Sequence, residues 1–122
     1  MPEERIAVLV VEDEVLLRMF IAAELQDEGF QVFEAADATE AIDVIRKNPR
    51  IHLLFTDVDM PGTMDGVRLA AFVRDRWPPI KIIVTSGHRA LDNASLPFDG
   101  VFLPKPYKPE TVIASIRELV GS

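Results

Sequence analysis

Cysteine is absent from these 122 residues. That excludes disulfides, thiol chemistry and thiolate-bound zinc, and it fits a reducing, cytoplasmic setting. Histidine is scarce: His52 and His88 are the two present, too few for a histidine-rich metal centre. Positive charge is short as well. Lysine and arginine number 13 against 20 acids, a net charge of −7, so direct binding to nucleic acid or to an anionic membrane surface is not expected. Long hydrophobic runs are missing too. The longest near the start, Ile6 to Val11, has six residues, against the roughly 18 that a membrane span needs. The opening Met1-Pro2-Glu3-Glu4-Arg5 has no signal-peptide pattern. There is no repeat and no low-complexity linker, and the length suits one domain over residues 1–122.

What the chain does have is apolar material, 48% of its residues, cut into short runs that alternate with helical patterns. Ile6 to Val11 is β-branched and continuous, as in a strand covered on both faces. Residues 15 to 28 are helix formers with a polar stripe of Arg18, Glu24, Asp27 and Glu28, closed by Gly29 as C-cap. Phe30 to Ala35 reads as a second strand. Asp37 and Glu40 then form a capping-box pattern, with Ala38, Ala41, Ile42 and Ile45 at helical spacing until Asn48-Pro49. Ile51 to Thr56 is the third strand. Asp65 can cap a helix whose apolar face is Leu69, Phe72, Val73 and Trp77, ended by Pro78-Pro79. Ile80 to Thr85 is the fourth strand, and residues 89 to 98 support at most a short helix. Val101 to Leu103 is a fifth strand. Pro109 opens a last helix with Val112, Ile116 and Leu119 inward. Five β-α units in a row demand an α/β fold with parallel strands, right-handed crossovers and helices on both faces.

Ligands of such sheets sit outside the carboxyl ends of the strands. The central stretch is Leu53-Leu54-Phe55-Thr56-Asp57-Val58-Asp59-Met60-Pro61-Gly62, an apolar run that delivers Asp57 to the rim and then breaks. By itself, an Asp there is more often a strand end opening a turn. The other strand ends change that reading. Glu12-Asp13 follow the first strand, Thr85-Ser86 close the fourth, and Lys105 follows the fifth. If these strands are neighbours, three acids, a hydroxyl and an ammonium meet. Clustered carboxylates repel unless something positive joins them. Oxygen donors without cysteine suit a hard ion such as Mg²⁺. The chemistry so defined is phosphoryl transfer to a carboxylate.

Four segments carry a resemblance: Val11-Glu12-Asp13-Glu14; Thr56-Asp57-Val58-Asp59-Met60-Pro61-Gly62 with Met64-Asp65-Gly66; Thr85-Ser86-Gly87-His88; and Leu103-Pro104-Lys105-Pro106-Tyr107. In this order the chain resembles a response-regulator receiver domain of bacterial two-component signalling, in its stand-alone form. The resemblance implies a doubly wound, flavodoxin-like five-stranded sheet of order 2-1-3-4-5. It implies Asp57 as phosphoryl acceptor from a sensor histidine kinase or histidine phosphotransfer protein. It implies Mg²⁺ held by Asp13, by Glu12 through water, by Asp57 and by the backbone carbonyl of Asp59. Lys105 would pair with a phosphoryl oxygen, and Ser86 would hydrogen-bond another. Thr85 is the alternative hydroxyl, but Ser-Gly-His fits the family order better. Phe102 stands where the family often has a rotating aromatic switch, with plain core as the other reading. Lys105-Pro106 is expected to be cis. His88 is read as a solvated loop residue with no metal role. Arg18 and its neighbours on the first helix are candidates for kinase docking.

Departures from the family pattern concern loops. Thr63 looks like one extra residue, and the segment between Ser86 and Lys105 looks about three residues short, so the fourth helix is expected to be short or frayed. The chain stops at Gly121-Ser122 right after the last helix, so no output domain is expected and the signal would pass to another protein. The reading is a switch that catalyses only its own phosphorylation and dephosphorylation. Three alternatives stand beside it: a phosphate sink that drains a kinase, a receiver that docks a kinase without being phosphorylated, which the intact acid set and Lys105 argue against, and a haloacid-dehalogenase-type phosphatase, suggested by Asp57-Val58-Asp59.

Overall fold

The computed structural model describes residues 5–60, 62, 64–87 and 100–121. In chain order the elements are β1 (Ala7–Val11), α1 (Val15–Asp27), β2 (Gln31–Ala35), α2 (Ala38–Lys47), β3 (Leu53–Asp57), α3 (Gly66–Arg76), β4 (Lys81–Ser86), β5 (Val101–Pro104) and α4 (Pro109–Val120). The strands form one parallel sheet of order β2-β1-β3-β4-β5. This is the doubly wound architecture that β-α alternation requires, with β1 and β3 adjacent at the point where strand order reverses. The expected short helix over 89–98, together with Pro61, Thr63 and His88, lies outside the described residues.

Two apolar layers sandwich the sheet because successive strand side chains point to opposite faces. Leu9, Val11, Leu54, Ile82 and Val84 pack on one side against Ala41 and Ile45 of α2 and Leu69 and Val73 of α3. Val8, Val10, Leu53, Phe55 and Ile83 pack on the other against Ile21 and Leu25 of α1 and Val112 and Ile116 of α4. Each fully buried aliphatic side chain of this kind contributes about 1.5–3 kcal/mol. The central strands have both faces covered, which is why they read as unbroken apolar runs.

The helix signals resolve into contacts. Asp37 Oδ1 accepts from the Glu40 N–H at 2.9 Å, while Glu40 Oε1 reaches past the cap to the Ala36 N–H at 2.8 Å. Asp65 Oδ1 accepts from the Arg68 N–H at 2.9 Å. At the end of α1 the cap position is Glu28, and Gly29 follows it in the left-handed region at φ 96°, a conformation glycine adopts without steric cost. Strand bounds differ from the sequence reading by one or two residues. β3 begins at Leu53 rather than Ile51, and β3 and β4 each run one residue further, to Asp57 and Ser86. Among the described residues no helix is long and apolar enough to cross a membrane.

Candidate functional site

Asp57 is the last residue of β3, and it is 3% exposed. Its position is set from two sides. It pairs with Thr85 in the β3–β4 ladder, and the next N–H, of Val58, donates to the Thr85 carbonyl at 2.9 Å. From the other side α3 closes down through Gly66, whose N–H donates to the Val58 carbonyl at 2.9 Å. A Cβ on Gly66 would overlap the Asp57 carbonyl oxygen and stand 2.7 Å from Val58 Cα. Glycine here is what allows a helix to start directly on the backbone that carries Asp57. Nothing in the composition of the stretch marks that role. The available signal is a glycine placed immediately after a helix-capping aspartate.

From β1 comes Glu12, also 3% exposed, followed by exposed Asp13. Carboxylate oxygens of Glu12, Asp13 and Asp57 all lie within 4.8 Å of one another. Lys105 enters from the loop after β5. Its N–H donates to the Ser86 carbonyl at 3.0 Å. Its Nζ donates to Glu12 Oε1 at 3.0 Å and to Asp57 Oδ2 at 3.1 Å, with Glu14 Oε2 at 3.9 Å. The Lys105-Pro106 peptide is cis, as expected. The strand ends thus bring Glu12, Asp13, Asp57 and Lys105 to one point of the rim.

The electrostatics follow from burial. Desolvation pushes the Asp57 carboxyl above its ordinary range, and the Lys105 ammonium only partly pulls it back. Glu12 is raised for the same first reason, with the negative charge of Asp57 adding to it. Burial opposes the charge on Lys105, but its bonds to Glu12 and Asp57 outweigh that and hold the ammonium above its ordinary value. Burial, then the charge of Glu12, raises the Tyr107 phenol to about 12; its ring packs edge-on against Phe55 at 5.4 Å. Three carboxylates and one ammonium leave a formal surplus of two negative charges at the point. A cluster of oxygen donors with that surplus fits a hard divalent cation.

Ser86, 2% exposed, reaches the site through Asp59. Its Oγ donates to Asp59 Oδ2 at 2.9 Å, and the Asp59 N–H donates to Asp57 Oδ1 at 3.2 Å. The hydroxyl of Thr85 is buried without a hydrogen-bond partner among the described residues. Of the two hydroxyls, Ser86 is thus the one engaged with the acids. Phe102 is half-buried on β5, opposite Val84. Arg18, read from sequence as a docking residue, is turned inward. Its Nη1 donates to the Glu12 carbonyl at 2.8 Å, and its Nε donates to Glu34 Oε1 at 3.2 Å. The large apolar residues of α1 that face outward are Val15, Leu16, Met19 and Phe20.

Comparison with known proteins agrees with this geometry. Residues 8–117 match the model of the response regulator receiver domain. The sensor kinase CckA of Brucella abortus is 36% identical over 117 residues, covering 93% of this chain and 12% of the kinase. A putative NtrX-like response regulator of Rickettsia typhi is 35% identical over 88 residues, 71% of this chain and 18% of that protein. The chain therefore spans less than a fifth of either relative. Among solved structures, a response regulator receiver protein of Sinorhizobium medicae superposes with a TM-score of 0.88 at 28% identity, covering 98% of this chain and 97% of that one. An acid cluster at the strand-order reversal, a lysine from the fifth strand's loop and a match over nearly the whole length lead to one assignment: the chain belongs to the response regulator receiver domain family.

Proposed function

We propose that this chain is a phosphoacceptor switch in which Asp57 takes a phosphoryl group from a histidine kinase or a histidine phosphotransfer protein. The observation that carries the reading is the meeting of Lys105 Nζ with Asp57 Oδ2 at 3.1 Å beside the Glu12–Asp13 pair. A carboxylate oxygen of Asp57 attacks phosphorus. The bond from phosphorus to the donor's imidazole nitrogen breaks, the electron pair leaves with the ring, and an acyl phosphate forms. Asp13, Asp57 and the carbonyl of Asp59, with Glu12 through water, would hold Mg²⁺, which would neutralise charge on the phosphoryl oxygens. Lys105 supplies a second positive charge already in place before the donor arrives. Ser86 then exchanges Asp59 for a phosphoryl oxygen, which biases the β4–β5 side of the sheet, where Phe102 lies.

The donor's docking place is the outer face of α1. Leu16 is 81% exposed, and Val15, Met19 and Phe20 are each more than half exposed. Four large apolar side chains on one helix, immediately after the Glu12–Asp13 loop, form a patch that an acidic chain gains nothing from leaving in water. A helical partner seated there brings its histidine to the rim. Intact mass after incubation with acetyl phosphate tests the chemistry. One phosphoryl group is expected with Mg²⁺ and none without it, and the Asp57→Asn protein is expected to stay unmodified. Equal modification of that variant would remove the acceptor assignment.

A further inference from the structure

We infer that Arg18 is a positioning residue for the metal loop: it holds the Glu12 backbone so that Asp13 is presented to the cation, and Glu34 holds Arg18. The inference rests on the proposed Mg²⁺ site and extends it to residues outside the acid cluster. Every polar group of Glu12 has a partner. Its N–H donates to the Ala35 carbonyl at 3.1 Å. Its Oε2 accepts from the Glu14 N–H at 3.0 Å, its Oε1 accepts from Lys105 Nζ at 3.0 Å, and its carbonyl accepts from Arg18 Nη1 at 2.8 Å. The first two bonds lock one side of the residue. The carbonyl bond is the one that acts on the peptide joining Glu12 to Asp13, so it sets where the Asp13 carboxylate points.

Arginine suits this place for a geometric reason. The guanidinium is planar and holds two acceptors at once in fixed directions. Here Nη1 meets the Glu12 carbonyl and Nε meets Glu34 Oε1 at 3.2 Å. Glu34 lies on β2, in register with Val10 of β1, so the clamp spans helix, neighbouring strand and metal loop. The Arg18 side chain is 18% exposed while that of Glu34 is 40% exposed. The pair is thus half-screened by solvent and contributes little stability as an ion pair. Its larger effect is orientation. The guanidinium also binds a carbonyl rather than a metal-facing carboxylate, so it leaves the donor oxygens to the cation. Partners of this outer kind tune metal affinity by roughly 10- to 100-fold elsewhere.

The test is Mg²⁺ affinity by calorimetry on the parent chain and on Arg18→Met, Arg18→Lys, Glu34→Ala and Glu34→Gln, with thermal melts of each. Arg18→Met is expected to weaken Mg²⁺ about tenfold or more. Arg18→Lys, with one short-reach ammonium in place of the fork, is expected to recover only part of it. Glu34→Ala is expected to weaken Mg²⁺ several-fold, and Glu34→Gln, which keeps an acceptor for Nε, is expected to restore it. A purely structural role would move the melts and leave the affinities unchanged. Parent-like Mg²⁺ affinity in the folded variants would overturn the inference while leaving the site intact. Failure of the parent chain to bind Mg²⁺ would overturn the site and the inference together. If Arg18→Met does not fold, the contrast between Glu34→Ala and Glu34→Gln decides, and equal affinities there would contradict the clamp.

Discussion

Lys105 is the residue whose replacement separates binding from chemistry. It neutralises one of the three carboxylates at the rim. Removing it as Lys105→Met makes the point more negative, so calorimetry is expected to show Mg²⁺ binding tightened by at least several-fold. Phosphoryl uptake from acetyl phosphate is expected to fall about tenfold or more in the same protein, because the charge that met the transferring group is gone. Gly66 gives a second expectation at this scale. Any Cβ there meets backbone of Asp57 and Val58, so Gly66→Ala is expected to cost more than about 1 kcal/mol in chemical denaturation and to slow labelling. Asp57, Glu12, Asp13 and Lys105 stood out as candidates in the sequence because each stands one or two residues past the end of an apolar run. The backbone contacts of Gly66 and Arg18 were less legible, since they depend on how the chain folds back on Asp57 and Glu12.

Elements were legible wherever burial imposes a period. β1 and β3 announce themselves as continuous apolar runs because helices cover both faces of the sheet. Their ends were less clear. Asp57 and Ser86 belong to the ladder although they are polar, since the pairing continues two residues past the apolar stretch. α1 misled in a particular way. Its polar stripe pointed to Arg18 as surface, while Leu16 and Phe20, which composition alone assigns to a core, are exposed. That inversion is what the proposed docking face would require. The double variant Leu16→Ser, Phe20→Ser is expected to keep acetyl phosphate labelling and to change stability by no more than about 0.5 kcal/mol per site. Its uptake from a phosphohistidine protein that labels the parent chain is expected to drop tenfold or more. An equal loss with both donors would place the defect in the site instead.

At the scale of the whole molecule, the buried acids among the described residues, Glu12 and Asp57, both stand at the proposed site. Burial raises the Asp57 and Glu12 carboxyls above their ordinary values of 3.8 and 4.5. An acid with a raised folded pKa binds its proton more tightly folded than unfolded. Stability from these two groups is therefore present below the ordinary values and is lost as pH rises through the raised ones. Without divalent cations the melting temperature is expected to fall over that window, in step with ionisation of the cluster. Added Mg²⁺ is expected to reverse the fall, and its stabilising effect is expected to grow with pH, since the cation binds the ionised carboxylates. Melts across pH with and without Mg²⁺ check both signs; a pH-independent Mg²⁺ effect would contradict the raised carboxyls.

The most direct measurement is the location of the phosphoryl group itself. Chain treated with acetyl phosphate and Mg²⁺, reduced with borohydride and mapped by tandem mass spectrometry converts any acyl phosphate into a stable alcohol at the residue that bore it. The expected result is a single converted residue, Asp57. Conversion at Asp59 or Asp13, or phosphate retained on Ser86 or His52 with Asp57 untouched, would contradict the account.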